Sequence, residues 1–211
     1  MVTRVVVLLS GRGSNLKAIV EARLPIEIAA VISNRSAAAG LMYALAQGLH
    51  TVALDSAPYP TREDFDAALA DEVENHQPDL VVLAGYMRIL SPAFIARFDG
   101  RLLNIHPSLL PAFPGLKTHQ RALADGVKIH GCTVHFVTDE LDHGPIVIQA
   151  ALEVWPDDTV DTLAARVLQQ EHCIYPQAIR WFAEQRLIKK DGRINLLGIS
   201  ASQSVFPDPK G

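Results

Sequence analysis

Asn104 and His106 stand two residues apart in the run Leu102-Leu103-Asn104-Ile105-His106-Pro107-Ser108-Leu109-Leu110-Pro111. On an extended segment that spacing sends both side chains to the same side. A carboxamide can hold a developing oxyanion, and an imidazole can move a proton near neutral pH. Pro107 fixes its own φ and biases His106 toward extended backbone, so the ring is presented by a stiff chain. Taken alone, the stretch suits a structural histidine at a strand end before a proline turn at least as well. A carboxylate changes the balance. Asp142, in Asp139-Glu140-Leu141-Asp142-His143-Gly144, opens a segment that could lie beside the strand of Asn104, and a carboxylate near His106 would favour the imidazolium form. The same acidic loop also reads as an exposed hairpin.

Such groups need a frame, and the hydrophobic pattern supplies one. Val5–Leu9 is a continuous aliphatic run of the kind buried on both faces in parallel sheets. Ile26–Ile32, Thr51–Leu54, Leu80–Ala84 and Leu102–Ile105 read as four more strands. Helical segments fall between them. One runs from a Ser14 or Asn15 cap to about Ala22, another from Ala37 to Gln47 before Gly48, and a third from Arg62 to Asn75 behind a Thr61 cap. A short one covers Pro92–Arg97. Strand and helix alternating at this spacing predict a doubly wound, Rossmann-like α/β sheet with right-handed crossovers. The pattern then changes. After a helix at Thr118–Ala124, strands at Gly131–Val137 and Pro145–Leu152 are joined by a link short enough to favour antiparallel pairing. The expectation is a mixed sheet, mostly parallel with an antiparallel C-terminal part. A long helix follows from Thr159, and Lys190-Asp191-Gly192-Arg193 marks a hairpin within 188–196. Residues 1–197 are expected to form a single domain and 198–211 a loosely ordered tail.

Open α/β sheets bind ligands beyond the carboxyl ends of their strands. The first such loop is Gly11-Arg12-Gly13-Ser14-Asn15, two glycines running into a helix N-terminus, which is an anion cradle suited to a phosphate. It is neither a Walker A motif nor a dinucleotide fingerprint, because Leu16 stands where a third glycine belongs and the second strand ends in Ser33-Asn34 rather than an acid. A sugar monophosphate fits better than NAD. Gly85-Tyr86-Met87-Arg88-Ile89-Leu90, after the fourth strand, could line a slot for a flat heterocycle. By residue type alone, ordinary packing against the next helix accounts for it at least as well. His130 and His135 are five apart, which a regular strand sends to opposite faces, and no Cys or carboxylate completes a metal set, so no metal is expected. Ser14 lies outside a Gly-x-Ser-x-Gly elbow, which disfavours a serine hydrolase.

The 211 residues, 49% hydrophobic and 20% charged with net charge −4, suit a soluble domain with a sizeable core. No basic block suggests nucleic acid. Two cysteines, Cys132 and Cys173, do not make a disulfide framework. The apolar run near the N-terminus is too short for a signal peptide or a membrane span, so the expected location is the cytoplasm.

Across these stretches the sequence resembles the folate-dependent formyltransferases, and among them the phosphoribosylglycinamide formyltransferases. The matching segments are Ser10-Gly11-Arg12-Gly13-Ser14-Asn15-Leu16, Ser33-Asn34-Arg35, Ala84 to Pro92, Asn104 to Pro111, Val134-His135-Phe136-Val137, Asp142-His143-Gly144-Pro145, and Gln170-Glu171-His172 before Tyr175-Pro176. They span about Val5 to Leu187. The Asn-x-His-Pro-Ser-Leu-Leu-Pro motif is shared with methionyl-tRNA formyltransferase and formyltetrahydrofolate deformylase. The Gly-Ser-Asn loop and the chain length select the ribonucleotide enzyme. The resemblance implies transfer of a formyl group from 10-formyltetrahydrofolate, as co-substrate, to glycinamide ribonucleotide. It implies that Gly13, Ser14 and Asn15 hold the phosphate and that Glu171 contacts the glycinamide end. Arg62, Met87, Arg88, Ile89, Leu90 and Asn104 would contact the folate, and His106, Asn104 and Asp142 would be catalytic. No metal is implied, and the protein would act as a monomer or homodimer. Two residues depart from the family pattern. Leu168 replaces a polar residue found in some members, and His143 replaces the first glycine of a frequent Gly-Gly, which stiffens the loop. The rival readings are a formyltetrahydrofolate hydrolase and a nucleotide or folate sensor without turnover.

Overall fold

The computed structural model describes residues 2–198 and 202–206. The chain forms two compact units. One is built from the residues up to Asn104 together with Val137–Asp139, the other from Ile105–Phe136 and from Glu140 onward.

In the first unit, β1 (Thr3–Leu9), β2 (Ile26–Ser33), β3 (Thr51–Ala53), β4 (Leu80–Leu83) and the start of β5 (Leu102–His106) pair in parallel, in the order β5-β4-β1-β2-β3. Val5 to Leu9 are wholly buried, which is why β1 reads as an unbroken apolar run. The connecting helices are α1 (Ser14–Glu21), α2 (Ala39–Ala46), α3 (Arg62–Asn75) and α4 (Pro92–Arg97). Helix α3 turns Phe65, Leu69 and Val73, spaced four apart, into a core with Val6, Leu8, Val81 and Phe94. Thr61 caps it as expected, its Oγ1 accepting the Asp64 N–H at 3.1 Å. Helix α1 departs from expectation. Neither Ser14 nor Asn15 is the cap; that position is Gly13, in the left-handed conformation at φ 77°, with no side-chain cap bond. A sharp turn from β1 into α1 needs positive φ, which glycine reaches without a Cβ penalty.

The second unit carries α5 (Thr118–Ala124), β6 (Ile129–Phe136), β7 (Ile146–Glu153), α6 (Val160–Ala183), the hairpin strands β8 (Leu187–Lys190) and β9 (Arg193–Leu196), and β10 (Ser204–Val205). β6 and β7 are antiparallel, and so are β8 and β9, across a turn in which Asp191 and Gly192 both have positive φ. Mostly parallel pairing with an antiparallel C-terminal part is thus the observed fold class. α6 runs through Pro176 without a break, behind a Thr159–Thr162 capping box. Of the stretch expected to be a loose tail, Ser204 and Val205 pair in parallel with β7. Residues 199–201 and 207–211 lie outside the described residues. Among the described residues no helix is long and apolar enough to cross a membrane.

Candidate active site

β5 ends on the two residues that open the chemistry. Asn104 is half-buried, while His106 is buried and only 6% exposed. The His106 ring has a hydrogen-bond partner on one side and a carboxylate neighbour on the other. Its Nε2 lies 3.0 Å from the carbonyl oxygen of Phe113. A carbonyl only accepts, so that nitrogen carries a proton. Its Nδ1 lies 3.5 Å from Oδ2 of Asp142. A carboxylate oxygen only accepts, so a proton on that nitrogen would face an acceptor. Asp142 has a positive φ of 54°, which Asp tolerates better than most residues. Its Oδ2 also accepts the Gly115 N–H at 2.7 Å.

The turn after His106 is held by buried hydroxyls. Ser108 Oγ donates to Ala112 O at 2.6 Å, and Thr133 Oγ1, on β6, donates to Ser108 O at 2.7 Å and accepts the Leu110 N–H. Gln149, on β7, donates to Leu110 O and to Thr133 Oγ1, both at 2.9 Å. The antiparallel pair therefore fixes the loop that presents Phe113 O and Gly115 N–H.

Three participants went unread in the sequence. Phe113 and Gly115 act through their backbone, which side-chain chemistry does not flag; the Pro114-Gly115 turn signal was the available hint. The third is His135, whose Nε2 lies 3.9 Å from Asp142 Oδ1 while its Nδ1 donates to Phe136 O at 3.0 Å. Burial holds its pKa below the ordinary histidine value. The strand carrying His130 and His135 is not regular: its register slips between Val134 and His135, and both rings are buried. His130 meets His119 instead, Nε2 to Nδ1 at 3.2 Å. Glu171 is buried on α6, and Leu168 is half-buried on the same helix. His143 is exposed, with Nδ1 3.5 Å from Glu140. Burial, with Glu171 second, pushes the Cys132 thiol well above its usual range. Among the described residues no group of three or more His, Cys, Asp or Glu is placed to hold a metal ion.

The remaining candidates lie in the first unit. Gly13 packs so closely on α2 that a Cβ added to it would come within 2.5 Å of Gly40 Cα. The Gly40 N–H donates to Gly11 O at 3.0 Å. The glycine turn is thus braced from below while the start of α1 carries no side-chain cap, the arrangement that receives an anion on helix N–H groups. In the segment after β4, Met87 and Ile89 expose 69% and 60% of their surface, while Leu90 is buried in the core. Leu90 can therefore offer a ligand only its backbone. Arg88 lies over the Phe65 ring at 4.6 Å and donates to Ser56 Oγ at 3.1 Å. Arg62 is exposed and pairs with Glu63 at 2.9 Å.

A mostly parallel α/β sheet and a buried histidine beside a carboxylate suit a group-transfer enzyme, and comparison with known proteins identifies the class. The Formyl transferase family pattern matches residues 3–179. The chain belongs to this family. It is 51% identical over 187 residues to the phosphoribosylglycinamide formyltransferase of Escherichia coli (strain K12), covering 87% of this chain and 88% of that one. The crystal structure of glycinamide ribonucleotide transformylase 1 from Symbiobacterium toebii superimposes with a TM-score of 0.91 at 50% identity, over 93% of this chain and 95% of that one. A formyltetrahydrofolate deformylase from Pseudomonas syringae pv. tomato str. DC3000 is more distant, at 30% identity and a TM-score of 0.87, over 94% of this chain and 67% of that one.

Proposed function

We propose that this protein transfers the formyl group of 10-formyltetrahydrofolate to the glycinamide amine of N1-(5-phospho-D-ribosyl)glycinamide, giving the N-formyl product and tetrahydrofolate, a step of purine biosynthesis in the cytoplasm. Residues 1–197 act as one formyltransferase domain, as a monomer or homodimer, without nucleic acid or membrane. The observation that carries this reading is the His106–Asp142 pair at 3.5 Å, two residues beyond Asn104.

Gly13, Ser14 and Asn15 hold the phosphate through N–H groups at the start of α1. Glu171 meets the glycinamide end. Arg62, Met87, Arg88, Ile89 and Leu90 bind the folate, with exposed Met87 and Ile89 supplying apolar contact. The amine attacks the formyl carbon, so a new C–N bond forms and the formyl oxygen gains charge. The Asn104 amide and protonated His106 hold that oxyanion. At 3.5 Å the Nδ1–H of His106 is too far from Asp142 for a good hydrogen bond, which leaves it available to an incoming oxygen. Asp142 keeps His106 charged and relays the proton from the amine, through water, to the leaving N10 as its bond to the formyl carbon breaks. No step requires a metal or a covalent enzyme intermediate.

The test is to mix both substrates, follow tetrahydrofolate by absorbance and identify the second product by mass. Formylated ribonucleotide formed only when both substrates are present supports the reading. Formate released without the ribonucleotide assigns the protein to formyltetrahydrofolate hydrolysis instead, and ligand binding with no turnover leaves only a sensor.

A further inference from the structure

Ser10 lies between β1 and the glycine turn and is 2% exposed. Every polar group of its side chain is used. Its Oγ donates to Asn34 Oδ1 at 2.6 Å and accepts the N–H of Met87 at 2.8 Å. The roles are fixed by chemistry, because an amide oxygen only accepts and a backbone N–H only donates. The Ser10 N–H also donates to Gly85 O at 3.1 Å. One buried hydroxyl thus ties together the ends of β1, β2 and β4. Its own residue leads directly into Gly11-Arg12-Gly13, while its partner Met87 opens the exposed segment through Ile89.

We infer that Ser10 is a positioning residue that sets the phosphate turn and the 87–90 segment as one unit, so that the affinities for sugar phosphate and for folate depend on the same hydroxyl. The inference rests on the ligand roles proposed above. Neither ligand touches Ser10; it acts through the backbone of Met87 and through the start of the glycine turn. Without the hydroxyl, the Met87 N–H and the Asn34 oxygen lose their shared partner. Both sit where neighbouring backbone must stay fixed to meet a ligand.

Calorimetric titration of glycinamide ribonucleotide and of tetrahydrofolate, each alone, into wild type and variants tests this without turnover. For Ser10→Ala both dissociation constants should rise by ~5–10-fold, the loss of about one buried hydrogen bond. Ser10→Thr, which keeps the hydroxyl, should restore both. Asn15→Ala should weaken only the ribonucleotide, showing that a joint effect is not general loosening. Should Ser10→Ala fail to fold, Asn34→Ala, which frees the hydroxyl to rotate, should produce the same joint rise at smaller size. Unchanged affinities with a lowered Tm, or weakening of one ligand only, would overturn the inference while leaving the enzyme assignment standing. If wild type binds neither ligand, the functional reading falls and this one with it.

Discussion

The carboxylate of Asp142 stands 3.5 Å from Nδ1 of His106, and the same oxygen accepts the Gly115 N–H. The other ring nitrogen is committed to Phe113 O. The ring thus stands between a carbonyl and a carboxylate. Asp142→Asn removes the charge and keeps a residue that tolerates positive φ, so the loop should survive. We expect kcat to fall by ~10²–10⁴, the usual span of a proton-transfer contribution, with Tm little changed. Steady-state kinetics beside a melting curve checks this; near wild-type turnover by a folded variant rules out the assigned role.

Asn104→Ala separates oxyanion stabilisation from proton movement. Asn104 is half-buried, and its truncation removes an amide donor. Loss of one oxyanion donor lowers kcat by ~10²–10³. The expected signature is a fall in kcat at near-constant KM for the ribonucleotide, read from initial rates.

Gly13 is the point where the glycine turn and α2 touch. Gly13→Ala must accommodate both a φ of 77° and a Cβ within 2.5 Å of Gly40 Cα, so the backbone has to move. Positive φ alone costs about 1–2 kcal/mol for a residue with a Cβ. KM for the ribonucleotide should rise by at least about tenfold, the factor that 1.4 kcal/mol represents. KM for the folate should rise less. Equal rises in both would mean that the turn does not contact the phosphate.

His130 supplies a pH prediction. Burial, helped by His119 nearby, pushes its pKa down from 6.5 to about 4. The His119 pKa is lowered too, first by burial and then by His106. At 3.2 Å one proton can bridge the two rings, but a second would set two donors against each other. The folded state thus holds these rings neutral, whereas the unfolded chain protonates them at about 6.5. Stability is fully present above that pH and is lost as pH falls toward about 4. Urea midpoints between pH 4 and 8 should drop on the acid side. His119→Gln should flatten that drop, and an unchanged slope in the variant would exclude the pair as its source.

The sequence by itself determined most of the frame. Short, β-branched aliphatic runs such as Val5–Leu9 read as strands buried on both faces, and Thr61 and Thr159 mark helix starts through a hydroxyl that needs no distant partner. It also marked Asn104, His106 and Asp142, because an amide, an imidazole and a carboxylate in polar loops carry their chemistry in their residue types. Tertiary structure alone decided how those groups are held. Phe113 and Gly115 contribute a carbonyl and an N–H that every residue possesses, so only the path of the chain makes them partners of His106 and Asp142. The buried Ser10 hydroxyl and the Gly13–Gly40 contact join residues 77 and 27 positions apart in sequence. His135 approaches Asp142 on a strand whose register slips beside it, a departure that a two-residue period cannot announce. Local pattern fixes which face a residue belongs to; distance between remote atoms is set only when the chain has closed on itself.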